Sequence, residues 1–429
     1  MSDVAVIGAG YVGLTTAACF AALGHRVTCA DVVPEKVERL SRGEVPILEA
    51  GLPDLVRAGV DGGRLSFVLG AAAAVPDAEF VYLCVPTPQS ADGSADLSYI
   101  HAAATEIGPL LAPECVVVNK STVPVGSTRV VEEVLDRDDV TVVSNPEFMR
   151  EGSAVHDFMH PDRIIIGAHD QAAAARVASL FSTLRAPVIV TDPASAETIK
   201  YASNAFLAAK VSFANAVANV CEAVGADVRD VLLGMGYDKR IGFEFLKPGP
   251  GYGGSCLPKD ITALIRIAED AGYDFGLLRG VDEVNSEQFG RVVGKVERMV
   301  GGSLDGETVA VWGLTFKART DDLRQSPALE ISRRLSEKGA RVRAYDPAVD
   351  PSRGDADDRL AGLSVGADPY GVCEGASVLV VLTEWDEFRR LDLAKVAAAL
   401  THPRVVDARN LLDPAALRRR GFAYEGMGR

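Results

Sequence analysis

A glycine motif near the start of the chain constrains the fold more than any other feature. The apolar run at residues 4–7 leads directly into Gly-Ala-Gly-Tyr-Val-Gly at residues 8–13. A helical pattern follows over residues 14–23, and a second apolar run over residues 26–30 ends at Asp31. This succession of strand, glycine turn, helix, strand and acid is typical of a dinucleotide-binding Rossmann unit, so it predicts an α/β fold.

The motif also indicates which dinucleotide is bound. Gly8 is expected to make the tight turn, Gly10 to admit the pyrophosphate and Gly13 to let the helix lie on the sheet. The pyrophosphate would then lie at the helix N-terminus, which attracts anions. Asp31 can accept a hydrogen bond from a ribose 2′-hydroxyl and would repel a 2′-phosphate, which favours NAD over NADP. FAD-binding proteins share this unit, so the cofactor assignment also depends on the rest of the chain.

Polar clusters follow several of the later strands. Further strands are predicted at residues 80–85, 116–120, 140–144 and 164–167. Polar clusters follow three of them, at residues 86–88, 121–127 and 145–152. Ligands of parallel α/β sheets bind beyond the carboxyl ends of the strands, so the clusters predict a ligand site. Ordinary turn chemistry is the alternative for each cluster taken alone.

The segment 247–260, Lys-Pro-Gly-Pro-Gly-Tyr-Gly-Gly-Ser-Cys-Leu-Pro-Lys-Asp, has four glycines and three prolines. Such a segment cannot form a regular helix or a central strand, and it exposes backbone N–H groups to a ligand. Pro258 suits the first turn of a helix, which places Cys256 just ahead of that helix. The helix dipole and Lys259 both favour the thiolate, the nucleophilic form. The alternative is a glycine-rich surface loop with an incidental buried cysteine, and the other six cysteines lie in apolar runs.

One long helix is predicted in the middle of the chain. It begins at Asp192-Pro193, and no proline or glycine interrupts the sequence until Gly225. Its length of about eight or nine turns suggests a connector that also forms a core or dimer seam. Lys200 and Asn204 are four residues apart and share one face, where an amine and an amide could hold an alkoxide. A solvated helix surface is the alternative.

The last part of the chain shows a second α/β pattern after Gly301-Gly302. A strand is predicted at residues 308–313, a helix from Ser326-Pro327 to Gly339 and a strand at residues 341–345, with further strands at 378–382 and 405–407. Cations replace the glycines of the phosphate loop. The candidates for phosphate or carboxylate contacts are Lys317, Arg319, Arg324 and Arg409.

Composition excludes several classes of protein. A chain of 429 residues predicts two or three domains. Its net charge of −15 argues against nucleic acid or an anionic membrane as a partner. No apolar stretch is long enough to span a bilayer, and the N-terminus shows no signal peptide. The seven cysteines form no zinc spacing, and His156 and His160 lack a third ligand, so no metal and a reducing, cytoplasmic setting are expected.

Five motifs in order identify a family resemblance. They are the glycine motif at 8–13, Ser-Thr-Val-Pro-Val-Gly at 121–126, Asn-Pro-Glu-Phe at 145–148, Gly-Tyr-Gly-Gly-Ser-Cys-Leu-Pro-Lys-Asp at 251–260 and Gly-Leu-Thr-Phe-Lys at 313–317. With these motifs the chain resembles the UDP-glucose/GDP-mannose dehydrogenase family over nearly its whole length. The cysteine motif is highly specific, whereas the glycine motif alone is not. Leu257 is frequent in GDP-mannose enzymes, but Tyr252 and the segments 344–347 and 382–386 look more like the UDP-glucose branch.

The resemblance implies a four-electron oxidation of a nucleotide-sugar hydroxymethyl group to a carboxylate, with two NAD⁺ used in turn. Cys256 would trap the aldehyde as a thiohemiacetal, which is oxidised to a thioester and released by water. Glu147 matches the family's water-activating glutamate, and Lys200 matches its general acid/base. Asn204 and Lys200 would stabilise oxyanions.

The resemblance also implies the remaining site residues. Asp260 would orient Lys200 or a water, and Thr122 would contact the cofactor and the reacting oxygen. The implied cofactor contacts are Gly8, Gly10, Tyr11, Val12, Gly13, Asp31, Lys36, Thr87, Thr122, Glu151, Lys259 and Arg324. The implied sugar-nucleotide contacts are Glu147, Phe148, Met149, Arg150, Glu151, Lys200, Asn204, Arg240, Lys247, Pro248, Gly249, Pro250, Gly251, Tyr252, Gly253, Phe316, Lys317 and Arg409.

The implied architecture is two Rossmann-like doubly wound domains joined by a long central helix and a small helical region. The expected domains are an NAD domain at 1–192, a central dimerisation domain with the cysteine loop at 193–300 and a UDP-sugar domain at 301–429. A homodimer that acts on UDP-glucose is expected. The alternatives are the same chemistry on GDP-mannose or a UDP-N-acetylhexosamine, a one-step dehydrogenase of the 6-phosphogluconate type, and a non-catalytic NAD-binding sensor.

Overall fold

In the computed structural model the described residues are 1–90, 93–353 and 357–429. They form two compact units. The first unit comprises Met1–Ser203 and Thr262–Gly272, and the second comprises Asn204–Ile261 and Tyr273–Arg429. Each unit is built on its own sheet. The three domain boundaries expected from the sequence stay a prediction.

The first unit contains an eight-stranded sheet in the order β3-β2-β1-β4-β5-β6-β7-β8. Its strands are β1 (Asp3–Ile7), β2 (Arg26–Asp31), β3 (Leu65–Leu69), β4 (Phe80–Leu83), β5 (Val116–Asn119), β6 (Thr141–Ser144), β7 (Ile164–Gly167) and β8 (Val188–Thr191). Its helices are α1 (Tyr11–Ala22), α2 (Pro34–Ser41), α3 (Leu52–Asp61), α4 (Ser98–Ile107), α5 (Ser127–Leu135), α6 (Ala154–Met159) and α7 (Gln171–Ser179). All neighbouring strands are parallel except β6 and β7, which are antiparallel.

The central strands are buried on both faces, as their continuous apolar sequences predict. Every residue of β4 and β5 is buried. Val116 and Val118 belong to the core on one face, and Val117 belongs to the core on the other. Gly13 has the packing role expected of it, because a Cβ atom there would lie 1.8 Å from the carbonyl oxygen of Gly8. Only glycine therefore lets α1 approach the first turn this closely.

The long central helix is confirmed as α8 (Pro193–Val224), with 32 residues. Its N-terminus is capped by Asp192, whose Oδ1 accepts a hydrogen bond of 2.9 Å from the N–H of Ser195. The chain leaves the helix at Gly225, which has a φ of +74°. This left-handed conformation favours glycine and ends the helix.

The second unit repeats the Rossmann topology. Its sheet has the order β11-β10-β9-β12-β13-β14, which matches the order of the first six strands of the other unit. The strands are β9 (Thr308–Trp312), β10 (Arg341–Tyr345), β11 (Ser364–Val365), β12 (Val378–Val381), β13 (Arg404–Asp407) and β14 (Ala423–Gly426). The remaining helices are α9 (Val228–Gly236), α10 (Leu257–Asp270), α11 (Gly276–Val300), α12 (Pro327–Glu337), α13 (Leu393–Ala399) and α14 (Pro414–Arg419). The expectation of a second, altered Rossmann unit is confirmed.

Candidate active site

The polar clusters of the first unit lie at one edge of the sheet. Strands β1, β4, β5 and β6 are neighbours, and their last residues are paired in register: Ile7 with Leu83, Leu83 with Asn119, and Asn119 with Ser144. The residues that follow these strands therefore emerge side by side. The glycine turn and the three predicted clusters share this edge, which confirms their predicted placement.

The glycine turn fits a dinucleotide. A Cβ atom on Gly10 would meet nothing within 4 Å, so a ligand can approach the backbone there. The Asp31 carboxylate lies beside this turn and accepts hydrogen bonds from the N–H of Ala9 and the Nζ of Lys36, each at 2.9 Å. Burial alone would raise the pKa of Asp31, but the hydrogen bonds from Lys36 and the backbone hold it below its ordinary value. The carboxylate beside the glycine turn is therefore ionised and held in place, and its expected role toward a ribose hydroxyl stays a prediction.

Contacts within the first unit link other predicted cofactor residues to this edge. Thr87 donates a hydrogen bond of 2.9 Å to the carbonyl oxygen of Thr122. The phenolic oxygen of Tyr11 accepts one of 2.5 Å from the N–H of Gly152, which follows Glu151 in the chain. The loop after Thr122 is held by Glu197, a buried residue that accepts from the N–H groups of Gly126 and Thr128 at 2.6 and 2.9 Å. Glu197 was not predicted from the sequence.

Glu147 and Lys200 form a buried ion pair. Their Oε1 and Nζ atoms are 2.9 Å apart, and each side chain is 5% exposed. The other carboxylate oxygen of Glu147 accepts a hydrogen bond of 2.7 Å from the N–H of Met149. Burial alone would raise the pKa of Glu147, but Lys200, the backbone and Lys120 hold it below its ordinary value. The pair therefore provides an ionised base beside a proton-carrying amine.

Phe148 lies between two cations at this site. The guanidinium carbon of Arg163 is 3.7 Å from its ring centroid, and Nζ of Lys200 is 5.3 Å from it. Both distances are within the range of a cation–π interaction. Arg163 was not predicted from the sequence.

Cys256 differs from the other six cysteines in its exposure to solvent. All seven cysteines lie within the described residues and are thiols, and only Cys256 is partly exposed. Burial raises the pKa of Cys19, Cys84, Cys115 and Cys373 to about 12, so these thiols stay protonated. Cys256 directly precedes α10, as predicted, and its carbonyl oxygen accepts a hydrogen bond of 2.9 Å from the N–H of Asp260.

Asp260 holds two predicted site residues. Its side chain is fully buried, and it accepts hydrogen bonds of 2.6 Å from the amide of Asn204 and from the Nζ of Lys259. The amide of Asn204 is thereby fixed in orientation. The expected role of Asp260 toward Lys200 or a water stays a prediction.

Three buried amide side chains hold the loop that leads to Cys256. The amide oxygen of Asn215 accepts from the N–H of Gly249 at 2.8 Å, and the amide nitrogen of Gln288 donates to the carbonyl oxygen of Gly249 at 2.9 Å. Asn285 makes both kinds of bond to Tyr252, at 2.7 Å to its N–H and 3.1 Å to its carbonyl oxygen. We call Asn215, Asn285 and Gln288 the amide clamp. It was not predicted from the sequence.

Several predicted sugar-nucleotide residues lie against this loop. A Cβ atom on Gly254 would lie 2.7 Å from the ring of Phe316, and one on Gly249 would lie 3.4 Å from Nη1 of Arg409. Arg409 also donates to the carbonyl oxygen of Phe316 at 2.9 Å, and Lys317 lies 5.2 Å from the Phe316 ring centroid. The structure thus brings Phe316, Lys317 and Arg409 together with the glycine-rich loop.

Other predicted residues have partners outside these clusters. Arg240 is 89% exposed and pairs with Asp238 at 2.6 Å. Arg324 pairs with Asp322, and Arg150 pairs with Asp157, each at 2.7 Å. Binding roles for these arginines stay predictions.

Within the described part of the chain, no group of three or more His, Cys, Asp or Glu side chains is arranged to hold a metal ion. No helix there is both long and apolar enough to cross a membrane.

Comparisons with family models cover most of the chain. Residues 2–185 match the NAD binding domain of the UDP-glucose/GDP-mannose dehydrogenase family. Residues 194–287 match its central domain, and residues 310–414 match its UDP binding domain.

Individual proteins agree with these matches. The UDP-glucose 6-dehydrogenase of Pseudomonas aeruginosa is 46% identical over 99% of this chain and 97% of its own length. UDP-glucose 6-dehydrogenase TuaD of Bacillus subtilis is 45% identical over 100% of this chain and 94% of its own length. The solved UDP-glucose dehydrogenase of the hyperthermophilic archaeon Pyrobaculum islandicum has a TM-score of 0.92 and 39% identity, covering 100% of this chain and 98% of that one. The chain therefore belongs to the UDP-glucose/GDP-mannose dehydrogenase family.

Proposed function

We propose that the protein is an NAD-dependent UDP-glucose 6-dehydrogenase that converts UDP-glucose to UDP-glucuronate. The observation that carries the proposal is the exposure of Cys256, the one partly exposed thiol among the seven cysteines. Cys256 directly precedes α10, and Asp260, four residues further on, accepts a buried hydrogen bond from Asn204. The relatives described above support UDP-glucose as the sugar nucleotide, since all three are named as UDP-glucose dehydrogenases.

The first oxidation begins at the hydroxymethyl group of the sugar. The glycine turn and Asp31 would hold NAD⁺, which would supply the hydride acceptor for each of the two oxidations. Lys200 first releases to solvent the proton that it carries in the ion pair. Its neutral amine then takes the hydroxyl proton as the carbon loses a hydride, which leaves an aldehyde. The sulfur of Cys256, as the thiolate, then bonds to the aldehyde carbon, and the carbonyl oxygen takes the proton back from Lys200, which gives a thiohemiacetal.

The second oxidation and hydrolysis complete the reaction. The thiohemiacetal gives its hydroxyl proton to the neutral amine of Lys200 and loses a second hydride, which leaves a thioester on Cys256. Glu147 takes a proton from water, and the water oxygen attacks the acyl carbon. The carbon–sulfur bond breaks, the thiolate leaves and the carboxylate is released. Asn204, oriented by Asp260, donates to the oxyanions that form on the way.

The stoichiometry of NADH tests the proposal. Purified protein should form two NADH per UDP-glucose consumed, with UDP-glucuronate as the product. Absorbance at the NADH band and chromatography of the sugar nucleotides measure both quantities. One NADH per sugar would indicate a one-step dehydrogenase. Turnover of GDP-mannose or a UDP-N-acetylhexosamine in place of UDP-glucose would contradict the substrate, and NAD binding without any turnover would indicate a sensor.

We also infer a homodimer formed through α8. Three apolar side chains on this helix are seven residues apart and point outward: Phe206, Phe213 and Val220 are 67, 54 and 60% exposed. A seven-residue repeat keeps them in one stripe along the helix. Leu277, at the start of α11, is also exposed in the same unit. An apolar stripe on a second copy of the chain is the matching partner, because helices that pair through such a repeat bury each other's stripes.

Phe213→Glu should separate the two subunits. The substitution places a carboxylate in the stripe of both copies, so the dimer Kd should rise on the order of 10³-fold. Light scattering coupled to size-exclusion chromatography at micromolar concentration measures the change. Tyr99→Glu, at an exposed aromatic residue of α4 in the first unit, is the matched control and should leave the mass unchanged. A dimer that persists in Phe213→Glu would contradict this interface.

A cytoplasmic location fits the same chemistry. The proposed reaction needs Cys256 as a thiol, and all seven cysteines are thiols in the structure. A reducing compartment keeps them in this form.

A further inference from the structure

A second lysine is buried beside the Glu147–Lys200 pair. Lys120 directly follows β5 and is 5% exposed. Its ammonium group donates a hydrogen bond of 3.1 Å to the amide oxygen of Asn145 and lies 6.0 Å from the ring centroids of Phe158 and Phe181. A lysine is almost never buried to this extent unless its charge is compensated. The charge of Lys120 must therefore be compensated by a nearby group.

Asn145 fixes the position of this ammonium group. Its own amide nitrogen donates to the carbonyl oxygen of Ile165 at 2.8 Å, and its N–H donates to the carbonyl oxygen of Asn119 at 2.9 Å. Both ends of Asn145 are thus held by backbone atoms of neighbouring strands, and its amide oxygen is aimed at Lys120. Because Glu147 is only two residues further along the chain, the same anchor fixes the start of the segment that carries the proposed base.

The charges around Lys120 explain its burial. Burial lowers the pKa of Lys120 to about 8, against the opposing attraction of Glu147. The other groups that act on it are the Cys84 thiol, which burial keeps protonated, and the Lys200 ammonium, which repels it. Glu147 is thus the carboxylate that compensates Lys120, and Lys120 in turn contributes to the low pKa of Glu147.

The reaction requires Glu147 to stay ionised while Lys200 gains and loses a proton, and a second cation near Glu147 meets this requirement. Lys200 must pass through its neutral form when it accepts the proton of the sugar hydroxyl. A buried carboxylate that loses its only cation takes up a proton and ceases to be a base. The hydrogen bond of Lys120 goes to the amide oxygen of Asn145, a neutral group, so its charge does not depend on the proton that Lys200 exchanges.

We propose that Lys120 is a positioning residue for the hydrolytic step, whose buried charge keeps Glu147 ionised while Lys200 exchanges its proton. The inference rests on the proposed function, in which Glu147 activates the water. It adds a residue that acts through Glu147 and Asn145.

The pH dependence of kcat tests the proposal. In Lys120→Met the acid limb of the profile should move upward by about one pH unit, because Glu147 loses one of its two cations. At a pH below the wild-type limb, kcat should accordingly fall about tenfold. Lys120→Gln keeps a donor for Asn145 without the charge and should show the same shift. Lys120→Arg keeps the charge and should return the limb toward its wild-type position.

A buried lysine outside the site provides the matched control. Lys295 is 3% exposed and pairs with Glu222 at 2.6 Å in the second unit. Lys295→Met should lower the melting temperature, as Lys120→Met does, but leave the acid limb in place. If the acid limb moves equally in Lys120→Met and Lys295→Met, Lys120 has only a structural role and the proposal is overturned.

Glu147→Gln, measured in parallel, distinguishes a failure of the Lys120 proposal from a failure of the proposed function. If the acid limb vanishes in Glu147→Gln but does not move in Lys120→Gln, the role of Lys120 is refuted and the proposed function stands. If the limb persists in Glu147→Gln, the assignment of Glu147 as the base fails, and the role of Lys120 fails with it. If Lys120→Met does not fold, the other two variants test the proposal. The acid limb should move upward in Lys120→Gln and stay near its wild-type position in Lys120→Arg.

Discussion

Replacement of Cys256 by alanine should abolish steady-state oxidation of UDP-glucose, with a loss on the order of 10⁴-fold or more. Without the sulfur, the aldehyde has no covalent anchor and the thioester cannot form. In Cys256→Ser the hydroxyl can take the place of the thiol, but the ester formed is hydrolysed much more slowly. This variant should therefore release two NADH per site in a burst and then stop, with an acyl adduct visible by mass spectrometry of the quenched protein.

A second cysteine variant controls for the loss of a thiol as such. Cys373 is fully buried, and its pKa of about 12 keeps it protonated. Cys373→Ala should lower the melting temperature by about 2–6 °C and leave kcat/KM nearly unchanged. Continuous turnover by Cys256→Ala at the wild-type rate would exclude the covalent route.

Glu147→Gln should stall the enzyme one step later. The amide has the shape of the carboxylate but cannot take a proton from water, so hydrolysis of the thioester should slow by about 10²–10⁴-fold. Both oxidations precede this step, so rapid mixing should show a burst of two NADH per site followed by a slow phase. Hydroxylamine, which cleaves thioesters, should release the trapped acyl group.

The matched control for this variant is Glu222→Gln, which also removes a carboxylate from a buried lysine, at 2.6 Å from Lys295. It should reduce stability and show no burst. A Glu147→Gln enzyme that turns over continuously, without an acyl intermediate, would assign water activation to another group.

Local sequence was sufficient for the features that depend on neighbours in the chain. The glycine turn, the length of α8 and the position of Cys256 before α10 all follow from backbone preferences of glycine, proline and alanine-rich segments. The placement of the polar clusters followed from one topological rule, that parallel strands align their carboxyl ends. The separate roles of Glu147 and Lys200 were implied by the family motifs, but their pairing, its distance and its burial came from the structure.

The features that were missed depend on contacts between distant parts of the chain. Asn285 and Gln288 lie on α11, where polar residues ordinarily indicate a solvated surface, yet they reach backbone atoms 33 and 39 residues away. Lys120 gave no sign of burial, since lysine is normally exposed. The edge strands β3, β8, β11 and β14 were also missed, because strands of two to five residues carry little periodicity.

The chemistry of the amide clamp has a practical consequence for every rate measurement on this protein. Asparagine and glutamine do not ionise between mildly acidic and strongly alkaline solution, and hydrogen bonds between neutral groups are little weakened by added electrolyte. The hydrogen bonds that hold the loop at Gly249 and Tyr252 should therefore keep the same strength in every buffer in which the protein stays folded. Changes in velocity with acidity or ionic strength then report on the titrating side chains themselves and not on a loosened binding loop.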